Sequence, residues 1–195
     1  MTLRPVARAV ALTAIVSLGS LSLSACGSGK SGGGDQANYV TGTDGIAAVA
    51  KGERKPVGPI KGETLQGKHF DVAGLRGKIV VINVWGSWCP PCRAEAPYLN
   101  KVAKEMKNEG VEFIGINTRD SDKGPAKAFE DDFNILYPSL YDPIGKILLP
   151  GFPKGTATPQ GLPPTITLDR NGKIAARVFG AIDDNKLHDP LVSEN

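Results

Sequence analysis

The segment that most restricts how this chain can fold lies near its middle, at residues 79–85, and reads IVVINVW. Its side chains are mostly β-branched and carry no charge, which is typical of a strand buried on both faces of a sheet. Residues 93–109 follow with many helix-forming residues, and Gly110 would end that helix. The apolar positions of this helix recur every three or four residues and form one buried stripe. They are Ala96, Leu99, Val102, Ala103 and Met106.

The pattern that follows extends this strand–helix pair into an α/β unit. Residues 111–116 are predicted to form a second strand, and residues 125–133 a second helix with proline in its first turn. A strand–helix–strand–helix order indicates parallel strands joined by a right-handed crossover. Residues 165–168 and 174–179 then flank a turn of Asp, Asn and Gly, which predicts a β-hairpin. A last helix is expected over 183–192, although a proline near its end would disrupt it.

The first 25 residues have the order of a secretory signal. Arg4 and Arg8 form a positive region, and residues 9–23 are apolar and uncharged. The following Leu-Ser-Ala-Cys sequence, which ends at Cys26, resembles the lipobox of bacterial lipoproteins. That resemblance implies cleavage before Cys26 and a lipid on its sulfur. An ordinary signal peptide with a stray cysteine is the alternative, whereas a retained membrane helix is disfavoured because the run is shorter than the ~20 residues that span a bilayer.

A flexible tether is expected after the signal. Residues 26–56 begin with a stretch rich in glycine and serine, and residues 39–60 are expected to be mostly irregular or a loosely docked arm. The folded domain is then predicted over 57–195, on the outer face of a bacterial cytoplasmic membrane. Cytosolic reductants do not act in that compartment, so disulfides can form and persist there.

The charge of the predicted mature chain excludes a nucleic-acid-binding surface. Removing Arg4 and Arg8 leaves 23 − 2 = 21 basic side chains against 20 acidic ones. The net charge is then close to +1, which offers no basic face to a polyanion.

Cys89 and Cys92 are separated by two prolines and lie where the buried strand gives way to the helix. The first backbone N–H groups of a helix lack partners and the macrodipole is positive there, so a thiolate is stabilised. Cys92 is one turn further along, within reach to resolve a mixed disulfide formed by Cys89. This arrangement predicts a redox-active pair.

Two other interpretations of the cysteine pair stay open but are weaker. A structural zinc site needs four ligands, and His69 and His188 have no ligand spacing relative to the pair. A purely structural disulfide would close so short a loop that it would gain little chain entropy. We therefore expect no bound metal and no dissociable cofactor.

Residues 85–99, WGSWCPPCRAEAPYL, resemble the active-site segment of the thioredoxin superfamily. They are most similar to its TlpA/ResA-like branch of membrane-tethered thiol-disulfide oxidoreductases. The LRGK sequence at 75–78 and the GLPPTITLD sequence at 161–169 also match that branch, and the resemblance covers about residues 57–190. It implies an α/β thioredoxin-like fold, in which helices flank a central mixed sheet.

The resemblance also implies roles for individual residues. Cys89 would attack a client and Cys92 would resolve the intermediate. The substrate-binding surface would comprise Trp88, Pro90, Pro91, Leu162 and Pro163. Pro163 would follow a cis peptide bond, and Pro164 is the second candidate for that bond. The alternative to a cis-proline loop is an ordinary proline-rich surface turn. The loop at 150–160 either borders the site and shapes partner choice or is a tolerated insertion.

Asn83 and Glu95 bear on proton transfer. Cytosolic thioredoxins usually carry a buried Asp at the position that matches Asn83, and Asn cannot titrate. We therefore expect Glu95, on the same helix as Cys92, to act as the acid or base for that cysteine, with a pKa raised by an apolar pocket. The alternative is an exposed glutamate that only favours the helix dipole.

The sequence thus favours a lipid-anchored reductase of client disulfides. Pro90 and Pro91 offer no N–H to a Cys89 thiolate, which indicates a fairly reducing pair. The resemblance implies apocytochrome c or another client of cytochrome c maturation, and a membrane thiol donor resembling the CcdA/DsbD group. The rival interpretations are an oxidase for secreted proteins and a non-enzymatic binding lipoprotein with a structural disulfide.

Overall fold

The computed structural model describes residues 39–42, 45–158, 160–183 and 186. The strands within these residues are β1 Val40–Thr41, β2 Ile46–Ala48, β3 Lys61–Glu63, β4 His69–Asp71, β5 Ile79–Trp85, β6 Val111–Thr118, β7 Ser139–Asp142, β8 Pro164–Leu168 and β9 Ile174–Phe179. The helices are α1 Pro90–Met106, α2 Lys123–Phe133 and α3 Leu148–Gly151, with 3-10 turns at Lys51–Glu53 and Val72–Leu75. None of the described helices has the length and apolar character that a bilayer-spanning segment requires.

One mixed sheet organises the described residues, with strand order β1-β2-β9-β8-β5-β6-β7. β5 is parallel to β6 and β6 is parallel to β7, whereas β8 runs antiparallel to both β5 and β9. The predicted parallel unit and the predicted hairpin are therefore both present. β3 and β4 form a separate antiparallel hairpin.

The side chains of β5 alternate between two cores because successive residues of a strand point to opposite faces. Val80, Ile82 and Val84 pack on the face that also receives α3, whereas Ile79 and Val81 pack against α1. Trp85 is on the α1 face as well, where it stacks on Phe129 of α2 with 4.3 Å between ring centroids. Both long helices therefore cover one face, and the carboxyl end of β5 leads directly into the cysteine pair.

Three helix boundaries differ from the sequence-based expectation, and two strands are longer than expected, because β6 ends at Thr118 rather than at 116 and β8 begins at Pro164 rather than at 165. α1 begins at Pro90 rather than 93 and ends at Met106 rather than 109, and α2 begins at Lys123 rather than at Pro125. α1 starts early because proline is well tolerated in the first turn of a helix.

Residues 39–60 were expected to be mostly irregular or a loosely docked arm, and residues 46–48 are neither, because they form β2. There β2 pairs with β9, and the neighbouring Val49 is only 2% exposed. These residues are ordered because their apolar side chains are buried where β2 pairs with β9. The predicted signal, Cys26, the glycine- and serine-rich start of the tether and most of the last helix lie outside the described residues.

Candidate active site

The cysteine pair sits at the start of α1. Cys89 is the N-cap residue, and its Sγ accepts a hydrogen bond from the backbone N–H of Cys92 at 3.3 Å. The two sulfurs form a disulfide of 2.03 Å, with 5.3 Å between the Cα atoms. Pro90 and Pro91 occupy the first helical positions. Backbone N–H groups at these positions have no partner within the helix, so the lack of an N–H in proline costs no helical hydrogen bond. The pair thus has the helix N-terminal position that stabilises a thiolate.

Both cysteines are covered in this oxidised state. Cys89 is 2% exposed and Cys92 is 1% exposed. They pack into one apolar cluster with Leu65, Trp85, Ala96, Ala126 and Phe129. Leu162, the residue before the predicted cis-proline, packs against the same cluster. A reagent that attacks the disulfide must therefore pass this cover.

Glu95 is on the helix that begins at the cysteine pair, and its buried side chain leaves the residue only 1% exposed. Its Oε1 accepts a hydrogen bond from Asn83 Nδ2 at 2.8 Å, and its Oε2 accepts one from the backbone N–H of Ile182 at 3.3 Å. Burial raises the pKa of Glu95 to about 8, against the opposing effect of these two hydrogen bonds. The alternative of an exposed helix glutamate is therefore wrong.

This environment lets Glu95 gain or lose a proton near neutral pH. A carboxyl group with a pKa close to the working pH is suited to general acid–base chemistry. Glu95 lies three residues after Cys92 on α1, so both side chains project from the same side of the helix. Its role as proton acceptor for Cys92 stays a prediction.

The proline loop lies beside the strand that leads to the cysteines. The Leu162–Pro163 peptide bond is cis, as expected, and Pro164 begins β8 and pairs with Phe179. The carbonyl of Pro163 accepts a hydrogen bond from Gly180 at 2.9 Å. β8 is next to β5, and Thr165 Oγ1 accepts a second hydrogen bond from Asn83 at 3.2 Å. The carboxyl end of β5 and the start of β8 are neighbours, so the fold brings the predicted substrate-binding prolines to the same end of the sheet.

The loop at 150–160 is anchored in places rather than freely exposed. Thr156 is fully buried and Ala157 is 7% exposed. The hydroxyl of Tyr39 donates to Thr156 Oγ1 at 3.2 Å, which ties the loop to the chain just before β1. Its influence on partner choice stays a prediction.

Comparison with known proteins places the chain in a family. The model of the Redoxin family matches residues 50–189, which is more than half of the chain. The chain belongs to the redoxin family. Its expected thioredoxin-like fold is confirmed by the solved structure of a DsbF homologue from Corynebacterium diphtheriae. That structure has a TM-score of 0.71 and 34% identity, and the match covers 80% of this chain and 96% of the other.

Two curated relatives carry names that describe thiol chemistry. The thiol-disulfide oxidoreductase ResA of Bacillus thuringiensis (strain Al Hakam) is 33% identical over 116 residues, which are 60% of this redoxin and 63% of ResA. The thiol:disulfide interchange protein DsbE of Yersinia pestis is 38% identical over 133 residues, which are 67% of this redoxin and 65% of DsbE. This redoxin therefore spans somewhat less than two thirds of the length of both relatives.

The structure adds one polar cluster that the sequence analysis did not single out. The carboxylate of Asp120 accepts hydrogen bonds from the Ser87 backbone N–H at 2.9 Å, from Ser87 Oγ at 2.5 Å and from Asn117 Nδ2 at 2.6 Å. Asp120 follows the carboxyl end of β6, the edge where ligands of open α/β sheets commonly bind. The position of Asp120 just after this strand is the feature of the sequence that could have identified the cluster. The cluster fixes the segment just before Cys89.

A cavity of about 360 Å³ lies away from the cysteines of this redoxin. Its lining includes Ile60, Arg76, Val80 and Leu168. Val80 and Leu168 pair at the end of β5 that is opposite the cysteines, so this cavity has no part in the site described above.

Proposed function

We propose that this redoxin is a thiol-disulfide oxidoreductase that reduces disulfides of client proteins. The observation that carries the proposal is the placement of three groups. Cys89 caps α1, Cys92 is disulfide-bonded to it, and the Glu95 carboxyl is buried beside Asn83. The names of ResA and DsbE support the same reaction class.

The proposed reaction begins with the reduced protein. The Cys89 thiolate attacks one client sulfur, so that a Cys89–client bond forms, the client S–S bond breaks and the other client sulfur leaves as a thiolate. Glu95 accepts the proton of the Cys92 thiol, and the Cys92 thiolate attacks Cys89 Sγ. The Cys89–Cys92 disulfide forms and the second client thiolate leaves. Glu95 and solvent return one proton each, and two electrons pass to the client.

The two prolines support the reducing direction. A strong oxidant owes its potential to a reduced form in which the thiolate is well stabilised. Here Pro90 and Pro91 supply no N–H to Cys89 Sγ, which accepts a backbone hydrogen bond from Cys92. Trp88, Pro90, Pro91, Leu162 and Pro163 form the proposed client-binding surface.

We place this reaction on the outer face of a bacterial cytoplasmic membrane, with Cys26 as a lipid anchor. Apocytochrome c is the proposed client, within cytochrome c maturation, and a membrane thiol carrier of the CcdA/DsbD kind is the proposed donor of electrons. The sequence order of signal, Leu-Ser-Ala-Cys and tether supports the location.

The activity is tested by reduction of insulin disulfides, with dithiothreitol as the electron source. We expect turnover by the native chain and none by Cys89→Ala or Cys92→Ala. Equal activity of all three chains would reject the enzyme and favour a structural disulfide. Cys92→Ala should also retain its client as a stable mixed disulfide, which mass spectrometry identifies.

The direction is tested by equilibration with glutathione redox buffers. A reductant should have a reduction potential nearer that of thioredoxin, ~−270 mV, than that of DsbA, ~−120 mV. A value near the latter, together with a fully oxidised protein in cells, would favour the rival oxidase.

A further inference from the structure

The cavity at the end of the sheet opposite the cysteines has an apolar lining. Four of the side chains that line it are buried, and none of them is more than 6% exposed: Ile60, Val72, Val80 and Leu168. The backbone N–H of Val72 donates to the Ile60 carbonyl at 3.0 Å, which joins two parts of the wall. The volume of about 360 Å³ lies within the range of small-molecule sites, ~300–1,000 Å³. The cavity is therefore preformed and can bury an apolar group.

One positive charge at this cavity has no counterpart. Four of the five charged residues that line it have a neighbour of opposite charge, and the pairs are Asp169 with Arg54, Lys78 with Glu112 and Lys61 with Asp71. The first two are ion pairs, and the third is a directly opposed pair in the β3–β4 hairpin, where facing side chains lie close together. Arg76 is the fifth charged residue. Within the part of the chain that the structure describes, its guanidinium has no ion-pair or hydrogen-bond partner.

The position of Arg76 is set by the turn beside it. A Cβ at residue 172 would lie 2.5 Å from Arg76 Nη1 and 2.6 Å from its Cζ, so the guanidinium packs directly on Gly172. The backbone N–H of Gly77 donates to the Arg170 carbonyl at 2.8 Å, which joins the residue after Arg76 to the same turn. These contacts hold the cation beside the apolar lining.

We propose that this cavity binds a small apolar carboxylate, whose hydrocarbon part lies on the four buried side chains and whose carboxylate pairs with Arg76. Burial of the hydrocarbon part favours binding because it removes apolar surface from water. The guanidinium selects the head group, since its fork of N–H donors matches the two oxygens of a carboxylate. The site is separate from the cysteines and does not depend on their chemistry.

The test compares three probes that share one hydrocarbon chain and differ in the charge of the head group: octanoate, 1-octanol and octylamine. Isothermal titration calorimetry measures their binding to the oxidised full chain, and ¹H–¹⁵N NMR of the same protein locates it. The variants are Arg76→Gln and Arg76→Glu. Lys104→Gln is the matched control, because Lys104 is an exposed cation on α1, which covers the other face of the sheet.

We expect octanoate to bind the native chain in a one-to-one complex, about fivefold more tightly than 1-octanol at low salt, as for a partly exposed charge pair. High salt should reduce this preference. Arg76→Gln should abolish the preference and keep the affinity for 1-octanol, Arg76→Glu should transfer the preference to octylamine, and Lys104→Gln should keep the native order. Octanoate should shift the amide signals of Val72 and Gly172 and leave that of Cys89 in place.

Absence of octanoate binding, equal affinity of the native chain for octanoate and 1-octanol, or a preference that Arg76→Gln leaves intact would overturn the site. Shifts at Trp88 and Cys89 instead of Val72 would also overturn it, because the ligand would then occupy the opposite end of the sheet. Failure of the proposed thiol chemistry would leave all of these results unchanged, since none of the measurements uses the reaction of the cysteines.

Discussion

The amide of Asn83 and the carboxyl group of Glu95 share a hydrogen bond of 2.8 Å in the middle of the protein. Asn83 is on β5 and Glu95 is on α1, so the bond joins the central strand to the helix that carries the cysteines. Asn83 is 3% exposed and Glu95 is 1% exposed. Asn83 is thus a neutral donor that binds the titratable Glu95 without titrating itself. A second carboxyl group in its place would compete with Glu95 for the same proton.

The first prediction concerns the pKa of Glu95 itself. Asn83→Leu keeps a similar volume but removes the hydrogen-bond donor to Glu95. Because that hydrogen bond favours the ionised carboxylate, its loss favours the protonated form. The pKa of Glu95 should therefore rise above its value of about 8. Carboxyl ¹³C NMR of the oxidised protein measures it. Thr165→Val is the matched control, because it removes the other acceptor of Asn83 and leaves the bond to Glu95 in place. An unchanged or lower pKa in Asn83→Leu would contradict this view of the pair.

The second prediction is a loss of stability with rising pH. Glu95 has a pKa of about 8 in the folded protein, against 4.5 for an unperturbed glutamate. The folded state therefore binds the proton more tightly, and its contribution is complete below pH 4.5 and lost as the pH rises through about 8. At about 1.4 kcal/mol per pKa unit the full loss is roughly 5 kcal/mol.

Urea unfolding of the oxidised protein between pH 5 and 9 measures this loss as a free energy of unfolding. Glu95→Gln should lack the Glu95 part of it, because its amide does not titrate. Burial also raises the pKa of Glu130. The contribution of Glu130 is present in both proteins, so the test is the difference between their pH profiles. Parallel profiles would show that Glu95 does not carry the effect.

Regular patterns in the sequence predicted the centre of the fold well. β5 spans the predicted residues 79–85 because an unbroken apolar run has few alternatives to a buried strand. The cysteine position followed from the same run and from the helix that comes after it. These inferences depended on neighbours in the sequence, which is why they needed no knowledge of tertiary contacts.

Contacts between residues that are distant in the sequence could not be predicted from it. The short strand β2 is fixed by pairing with β9, about 130 residues later in the chain, and its three residues are too few to show a period. Glu95 likewise receives its second hydrogen bond from Ile182, 87 residues away. Arg119 has a left-handed backbone that propensity does not predict.

The third prediction concerns the ion pair between Arg54 and Asp169, which are 3.2 Å apart with side chains 7% and 13% exposed. Arg54→Ala should lower the free energy of unfolding by about 3 kcal/mol, because it leaves a nearly buried carboxylate without its charge partner. Lys78→Ala is the control. It breaks an exposed pair with Glu112 and should cost less than about 1 kcal/mol. Equal costs in urea unfolding would show that burial does not strengthen the Arg54 pair.

The last prediction concerns the cover over the disulfide. Leu162 packs on the cluster that contains Cys89 and Cys92, and both cysteines are almost inaccessible. Leu162→Ala removes part of that cover, so dithiothreitol should reduce the disulfide several-fold faster. The tryptophans next to the disulfide, Trp85 and Trp88, report the reaction by fluorescence.

Leu149→Ala is the matched control, because Leu149 is 59% exposed on α3 and lies outside the cysteine cluster. It should leave the reduction rate at the native value. Urea unfolding of both variants separates better access from a general loosening of the fold. If Leu162→Ala is no faster than Leu149→Ala at equal stability, then Leu162 does not limit access to the sulfurs.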